Sequence, residues 1–157
     1  MNEVVLREAV DEDAPLLAGV IRAAFEDHRG RLDPASSAHA ETDETVRQRL
    51  QLGRGVLAMV ENEVAGCVFY KEVNGYLNLG RLAVLRSYRG QGVGGRLVEY
   101  VEARSRELGL FRVRLGVRIP LAETQAYYER RGYSPVGHGT HAGFTEPTYV
   151  ILEKSTQ

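Results

Sequence analysis

The chain has 157 residues, of which 43% are hydrophobic, and its formal net charge is −1; this length and composition suit a single domain over 1–157. The near-neutral charge gives no electrostatic reason to expect nucleic acid or a membrane surface as a partner. One cysteine excludes an intrachain disulfide, and the sequence shows no leader and no membrane span, so we expect a cytoplasmic protein.

The first half of the chain changes from helical to extended patterns. Residues 4–7 form a short β-branched run, and apolar residues then recur at helical spacing over 12–26. A polar loop over 28–41 follows, and Thr42 is a suitable N-cap for a second short helix that Gly53 ends. Three strands joined by tight turns are predicted next, over 56–60, 64–72 and 76–84.

The second half opens with a glycine-rich loop, Arg89-Gly90-Gln91-Gly92-Val93-Gly94-Gly95, which leads into an amphipathic helix ending near Leu108. Small residues let a ligand approach the backbone, and the first N–H groups of a helix favour an anion. The loop therefore predicts a site for a phosphorylated ligand. The remaining predicted elements are a strand over 111–117, a helix over 121–131, and strands over 133–137 and 145–152.

This order of elements mixes antiparallel hairpins with crossover helices. The economical packing is one central mixed sheet, mostly antiparallel, with helices on both faces. The sequence thus predicts an α/β (α+β) fold without internal repeats.

Two nucleotide-binding interpretations of the loop are disfavoured. Gly90, Gly92 and Gly95 match G-x-G-x-x-G, but a dinucleotide site also needs an acidic residue about 20 positions further on. Residues 115–118 supply none, which argues against a nucleotide-dependent oxidoreductase. A Walker loop is excluded because the chain contains no Gly-Lys-Ser or Gly-Lys-Thr.

Two motifs point instead to a known family. Arg89, Gly92 and Gly94 form R-x-x-G-x-G, preceded by Arg81-Leu82-Ala83-Val84, and a second segment reads Ala126-Tyr127-Tyr128-Glu129-Arg130-Arg131-Gly132-Tyr133. Both resemble the coenzyme A motifs of the GNAT superfamily of acyl-CoA-dependent N-acyltransferases. The order of elements also resembles that family, so the likeness covers nearly the whole chain.

The resemblance implies acetyl-CoA as cosubstrate, with no metal, and it implies roles for particular residues. The implied coenzyme-binding residues are Leu82, Ala83, Val84, Arg89, Gly90, Gln91, Gly92, Val93, Gly94 and Gly95. Tyr128 would be the catalytic acid that protonates the departing thiolate, because it stands four residues before Gly132. Tyr127 is expected to pack.

Two positions depart from the family pattern. Thr124 stands where many relatives carry an asparagine, and Arg81 stands where many carry a glutamate that acts as base. The general base therefore stays open, with Glu72, His138, His141 and Glu146 as candidates by residue type. Arg81 could favour an acceptor that carries a carboxylate.

The resulting expectation is an N-acetyltransferase acting by direct attack in a ternary complex. Its acceptor is a small-molecule or peptide amine, held by the first two helices, the loop over 28–41 and the last hairpin around 137–146. The alternative is a noncatalytic acyl-CoA-binding sensor or regulatory module. The resemblance to the family is also compatible with a homodimer formed through the later strands.

Overall fold

The computed structural model describes residues 3–157. In this range seven strands form one sheet: β1 (Val4–Glu8), β2 (Arg54–Val60), β3 (Glu63–Val73), β4 (Tyr76–Val84), β5 (Arg112–Arg118), β6 (Ser134–Gly139) and β7 (Tyr149–Ser155). The helices are α1 (Ala14–Phe25), α2 (Asp43–Leu52), α3 (Val93–Glu107) and α4 (Ala122–Arg130). The strand order is β1-β2-β3-β4-β5-β7-β6, and only β4 and β5 pair in parallel. The predicted mixed, mostly antiparallel sheet is confirmed.

Hydrophobic side chains pack on both faces of this sheet. Successive residues of a strand point to opposite faces, so Val56 of β2 joins the cluster under α3, whereas Leu57 joins the cluster under α1. Leu97 of α3 and Ile21 of α1 are fully buried in these clusters. Full burial of one such side chain contributes about 1.5–3 kcal/mol. The two helical layers therefore hold the sheet between them.

The helices lie close to their predicted positions. α1 begins two residues later than predicted, because a 3₁₀ turn over Asp11–Asp13 precedes it and the Asp13 carboxylate accepts the Val10 N–H at 2.8 Å. Thr42 caps α2 as expected, accepting a hydrogen bond from the Thr45 N–H at 3.2 Å. None of the helices within residues 3–157 has the length and apolarity needed to cross a bilayer.

The last strand starts later than predicted, at Tyr149 rather than at 145. Pro147 has no N–H to donate to a ladder, and pairing with β6 begins only where the Thr148 N–H donates to the Gly139 carbonyl at 2.8 Å. The strand also runs three residues beyond its predicted end at 152. Its polar end stays in the sheet, where Glu153 accepts from the Arg114 guanidinium at 2.6 Å.

The feature of the fold that creates a site is the divergence of β4 and β5. These strands pair only through Leu77 with Val113 and Asn78 with Arg114. The register between β3 and β4 slips around Arg81, whose φ of +53° is unusual for a residue other than glycine. A bulge of this kind bends its strand. Beyond Asn78, β4 therefore turns away from β5 and leaves a wedge-shaped gap in the sheet.

Candidate active site

A first cavity of about 400 Å³ lies where the end of β4, the start of α3 and the end of α1 meet. All of the residues predicted to bind the coenzyme line it except Gln91, whose Nε2 donates to the Ser87 carbonyl at 3.3 Å. The sequence analysis did not predict the other side of this cavity, which is formed by Ala24 and Phe25 of α1 and by His28 just beyond that helix. We call this space the donor cavity.

The N-terminus of α3 faces the donor cavity with free hydrogen-bond donors. Gly92 is the N-cap at φ +82°, a left-handed conformation that suits glycine, and no side chain caps the helix. The first helical hydrogen bond runs from the Arg96 N–H to the Gly92 carbonyl at 3.1 Å. The N–H groups of Val93, Gly94 and Gly95 consequently lack intrahelical acceptors. Together with the helix dipole, they form a cradle suited to a phosphate.

The last two glycines of the loop make room for α4 as well as for a ligand. A Cβ atom added to Gly94 would lie 3.4 Å from the Tyr127 hydroxyl, and one added to Gly95 would lie 3.1 Å from the Arg131 Nη1. The Arg131 guanidinium also donates to the Gly95 carbonyl at 3.3 Å. The glycine loop and α4 therefore fit against each other closely, which places Tyr127 at the phosphate cradle.

Arg89 fixes the shape of the donor cavity. Its Nε donates to the Val84 carbonyl at 3.1 Å, its Nη2 donates to the Ala24 carbonyl at 3.0 Å, and its Nη1 pairs with Asp27. These bonds tie the end of β4 to the last turn of α1. Asp27 also pairs with Arg86, so that two guanidinium groups share one carboxylate. The Arg89 side chain is thus engaged with the backbone that forms the wall of the donor cavity.

A second cavity of about 560 Å³ fills the gap between β4 and β5, beneath the segment that joins α1 to α2. We call it the acceptor cavity. It shares four lining residues with the donor cavity, namely Phe25, His28, Leu82 and Tyr127. The two spaces therefore adjoin each other at these side chains.

Tyr128 lies on the acceptor cavity and is 5% exposed. Its ring meets those of Tyr127 and Tyr133 edge to face, at centroid distances of 5.2 and 5.5 Å. Burial, reinforced by the neighbouring Tyr127, raises the pKa of Tyr128 well above its ordinary value, so the phenol is protonated at neutral pH. The Tyr128 hydroxyl has no hydrogen-bond partner among the described residues. The proton of the Tyr128 hydroxyl is thus available to a ligand.

Tyr127 packs against the core as expected, and it also reaches the candidate site. It is half-buried and lines both cavities, with its hydroxyl beside Gly94. Two consecutive residues of α4 reach this region because the end of that helix lies against both the gap in the sheet and the glycine loop.

His28 stands at the junction of the cavities, just beyond α1. Its ring packs edge to face on Phe25 at 5.6 Å, and its Nδ1 is buried without a hydrogen-bond partner among residues 3–157. Burial and the nearby charge of Arg31 lower the pKa of His28 below its ordinary value of 6.5, so the imidazole is neutral at neutral pH. The sequence placed His28 only among the acceptor-holding residues, because no local pattern marks it as a base.

Only one of the four candidate bases lines either cavity. That residue is His141, whose Nδ1 is 2.5 Å from the Thr148 hydroxyl and whose ring packs on Tyr149 at 5.4 Å. The other three, Glu72 on β3, His138 on β6 and Glu146 in the loop before β7, are exposed and line neither space. Their positions do not support them as the base; residue type alone does not show which strand or loop faces the gap.

Arg81 lines the acceptor cavity but is engaged with the protein. Its Nε is 3.0 Å from a carboxylate oxygen of Glu41, and its Nη2 donates to the Ser37 hydroxyl at 2.5 Å. Glu41 is 2% exposed and is also 3.0 Å from the Arg49 Nε. Burial opposes ionisation of Glu41, but hydrogen bonds from Arg49 and Thr45 hold its pKa below the ordinary value. Arg81 is therefore paired with Glu41, which does not favour its expected role with an acceptor carboxylate.

Cys67 is fully buried in β3, and burial raises the pKa of its thiol to about 12. The thiol is therefore protonated at neutral pH and faces the core rather than either cavity. Within residues 3–157, histidine, cysteine, aspartate and glutamate side chains form no group of three or more that could hold a metal ion.

The fold and the paired cavities have the form of an acyltransferase, and comparison with known proteins makes the class specific. The sequence model described as "Acetyltransferase (GNAT) family" matches residues 12–133. The chain therefore belongs to the GNAT acetyltransferase family, and acyl transfer is the general chemistry that this membership supports.

Individual relatives share the fold at low sequence identity. The N-acetyltransferase PaiA of Thermoplasma acidophilum, solved with coenzyme A, has a TM-score of 0.82 and 17% identity, with 98% of this chain and 99% of that one covered. The ribosomal-protein-S18-alanine N-acetyltransferase of Escherichia coli has a TM-score of 0.77 and 16% identity, with 98% and 94% covered. A Danio rerio protein named "Probable N-acetyltransferase 14" is 32% identical over 93 residues, which are 58% of this chain. The match spans only 33% of that relative.

Proposed function

We propose that the protein transfers an acetyl group from acetyl-CoA to a primary amine by direct attack in a ternary complex. The observation that carries this proposal is the meeting of the donor and acceptor cavities at Phe25, His28, Leu82 and Tyr127. A phosphorylated donor bound at the start of α3 and an amine bound between β4 and β5 would come together at these residues.

The donor cavity suits acetyl-CoA. The free N–H groups of Val93, Gly94 and Gly95 would hold its pyrophosphate, since backbone donors at a helix N-terminus favour phosphate. Leu82, Ala83 and Val84 lie on the part of β4 that β5 leaves unpaired, where an extended pantetheine arm could add to the sheet edge. The bound donor supplies a thioester whose carbonyl carbon accepts the amine.

Two proton transfers are assigned to residues of the chain. Deprotonating an alkyl ammonium with a pKa of about 10.4 costs about 4–5 kcal/mol of free energy at pH 7, so a base must assist. We assign this role to His28, which is neutral and stands where the cavities meet. Tyr128 would give its proton to the departing sulfur, because burial keeps it protonated and leaves its hydroxyl without an internal partner.

Calorimetric titration with acetyl-CoA, with NAD in parallel, tests the donor. Micromolar binding of acetyl-CoA alone, followed by turnover with a panel of amines, is the expected result. Binding without turnover on any amine would instead favour the acyl-CoA-binding sensor, for which the replacement of a strand glutamate by Arg81 is the supporting observation. Absence of acetyl-CoA binding would overturn both functions.

The Gly92→Ala variant is expected to bind acetyl-CoA about tenfold more weakly than the wild type. A non-glycine residue held at a left-handed φ costs about 1–2 kcal/mol, and relief of that strain would turn the N–H groups of α3 out of line. Gly109→Ala is the matched control, because Gly109 has φ +73° near the other end of the same helix. Equal loss of affinity in both variants, measured by calorimetry, would contradict the cradle at Gly92.

The His28→Gln variant is expected to lose about 10²-fold in kcat. A base must be neutral to act, so the wild-type rate should fall as the pH falls through the pKa of His28, which lies below 6.5. The variant should lack this acid limb when kcat is measured from pH 5 to 8. His141→Gln, the same change elsewhere on the acceptor cavity, should keep the limb. An unchanged limb in His28→Gln would remove His28 from the mechanism.

A further inference from the structure

Arg118, at the end of β5, brings an uncompensated charge to the acceptor cavity. Its Nη2 donates to the Pro34 carbonyl at 2.5 Å, while its Nε is enclosed without an acceptor in the described part of the chain. Burial lowers the pKa of Arg118, and the charge of Asp33 opposes this shift without forming an ion pair. The guanidinium therefore lies on the cavity wall with no carboxylate bound to it.

The other charged side chains on this wall have partners. Arg81 forms an ion pair with Glu41, with 3.0 Å between Nε and Oε2. Glu123 forms an ion pair with Arg31, with 2.8 Å between Oε1 and Nη2, where the segment between α1 and α2 meets α4. Among the charged side chains on this wall, Arg118 is thus the one that forms no ion pair within residues 3–157, although the charge of Asp33 acts on it from nearby. A partly buried charge is unfavourable until it is paired, and a guanidinium pairs best with a planar carboxylate through two parallel hydrogen bonds.

The remaining wall is mostly apolar. Its aliphatic side chains include Leu32, Leu79, Leu115, Val117 and Leu121. A volume of about 560 Å³ is in the range of small-molecule sites. The cavity therefore offers a cation, an apolar lining and, at its junction with the donor cavity, the neutral imidazole of His28.

We propose that the acceptor is a small amine that also carries a carboxylate on an apolar body, such as an amino acid with an apolar side chain. Arg118 binds the carboxylate, the aliphatic wall contacts the body, and the amine faces His28. This assignment rests on the proposed acetyl transfer and names the substrate class of that reaction. It transfers to Arg118 the carboxylate recognition that the sequence suggested for Arg81.

Matched acceptors test the assignment. Leucine and phenylalanine are compared with leucinamide and phenylalaninamide, which keep the amine and the apolar body but lack the carboxylate. The wild type is expected to show at least a tenfold higher kcat/KM for the acids. Arg118→Gln should lower kcat/KM for the acids 10–100-fold and change that for the amides less than twofold, and Arg118→Lys should restore part of the preference. Arg112→Gln, an exposed position on the same strand, should leave the preference unchanged.

A direct binding measurement separates this inference from the proposed function. N-acetyl-L-leucine and N-acetyl-L-leucinamide are titrated into protein saturated with coenzyme A, and preferential binding of the acid that is lost in Arg118→Gln supports the inference. Equal use of acids and amides by the wild type would overturn it while leaving acetyl transfer in place. If Arg118→Gln lowered kcat/KM equally for acids and amides and also lowered the melting temperature, the role of Arg118 would be only structural, through its hydrogen bond to Pro34, and the inference would be overturned. Failure to bind acetyl-CoA would instead refute the proposed function itself.

Discussion

Replacing Tyr128 by phenylalanine is expected to lower kcat by about 10²-fold or more, while KM for acetyl-CoA and the melting temperature stay close to wild type. The substitution removes only the proton assigned to the departing sulfur. The ring keeps its edge-to-face contacts with Tyr127 and Tyr133, and the hydroxyl has no hydrogen-bond partner in the described chain to lose. Steady-state kinetics and a thermal melt therefore separate the chemical role from a packing role.

Two neighbouring tyrosines serve as controls for this variant. Tyr133→Phe loses the hydrogen bond to the buried Glu102 carboxylate at 2.8 Å, so it should lower the melting temperature without a comparable loss of kcat. Tyr127→Phe removes the hydroxyl beside Gly94, so its effect should fall on KM for acetyl-CoA. A loss of kcat in Tyr127→Phe with full activity in Tyr128→Phe would assign the acid to Tyr127.

Local sequence patterns were sufficient to predict the helices and strands and to mark the donor side of the candidate site. The glycines after β4, the apolar spacing of α3 and the position of Tyr128 four residues before Gly132 are all short-range features. The glycines and the helix spacing predict where a phosphate would bind, because backbone conformation and helix periodicity are set by nearby residues. The choice of Tyr128 comes instead from the resemblance of its segment to the GNAT motif. The single domain over 1–157 and the chemical roles of these residues stay predictions.

The other side of the site depends on contacts between distant segments. His28 and Phe25 reach the glycine loop only because α1 packs beside the end of β4, where Arg89 binds the Ala24 carbonyl. The divergence of β4 from β5 depends on a bulge at Arg81, a residue whose type does not favour positive φ. Neither contact leaves a periodic or compositional signal in the sequence.

Arg81 stands where many relatives carry the glutamate that acts as base, so another residue must take that role here. An arginine on this wall needs a nearby counter-charge, and Glu41 supplies it from the end of the segment between α1 and α2. That carboxylate is buried and hydrogen-bonded to Arg49, Thr45 and Arg81, so it is not free to take a proton from an amine. Position 81 carries an arginine rather than a glutamate, and Glu41 is engaged; both observations support our proposal that the neutral His28 at the junction is the base.

The largest stability effect is expected from Glu41→Gln, which should lower the free energy of unfolding at pH 7 by about 3 kcal/mol. The substitution keeps the size of the side chain but leaves Arg81, whose side chain is 15% exposed, without its counter-charge. Removing one partner of a buried pair is costly because the other charge stays buried. Urea denaturation measures the difference, and Glu72→Gln, an exposed position on β3, is the matched control with an expected change below about 0.5 kcal/mol.

The pH dependence of this difference identifies its origin. The pKa of Glu41 in the folded protein lies below its ordinary value of 4.5, so the ionised carboxylate stabilises the fold above that pH. This contribution is lost as the pH falls through the lowered pKa, because Glu41 of the unfolded chain keeps its ordinary pKa and takes up a proton more readily than Glu41 of the folded protein. The wild-type and Glu41→Gln unfolding free energies should therefore converge as the pH falls below 4.5. A constant difference between pH 7 and pH 3 would show that shape rather than charge at Glu41 stabilises the segment over the acceptor cavity.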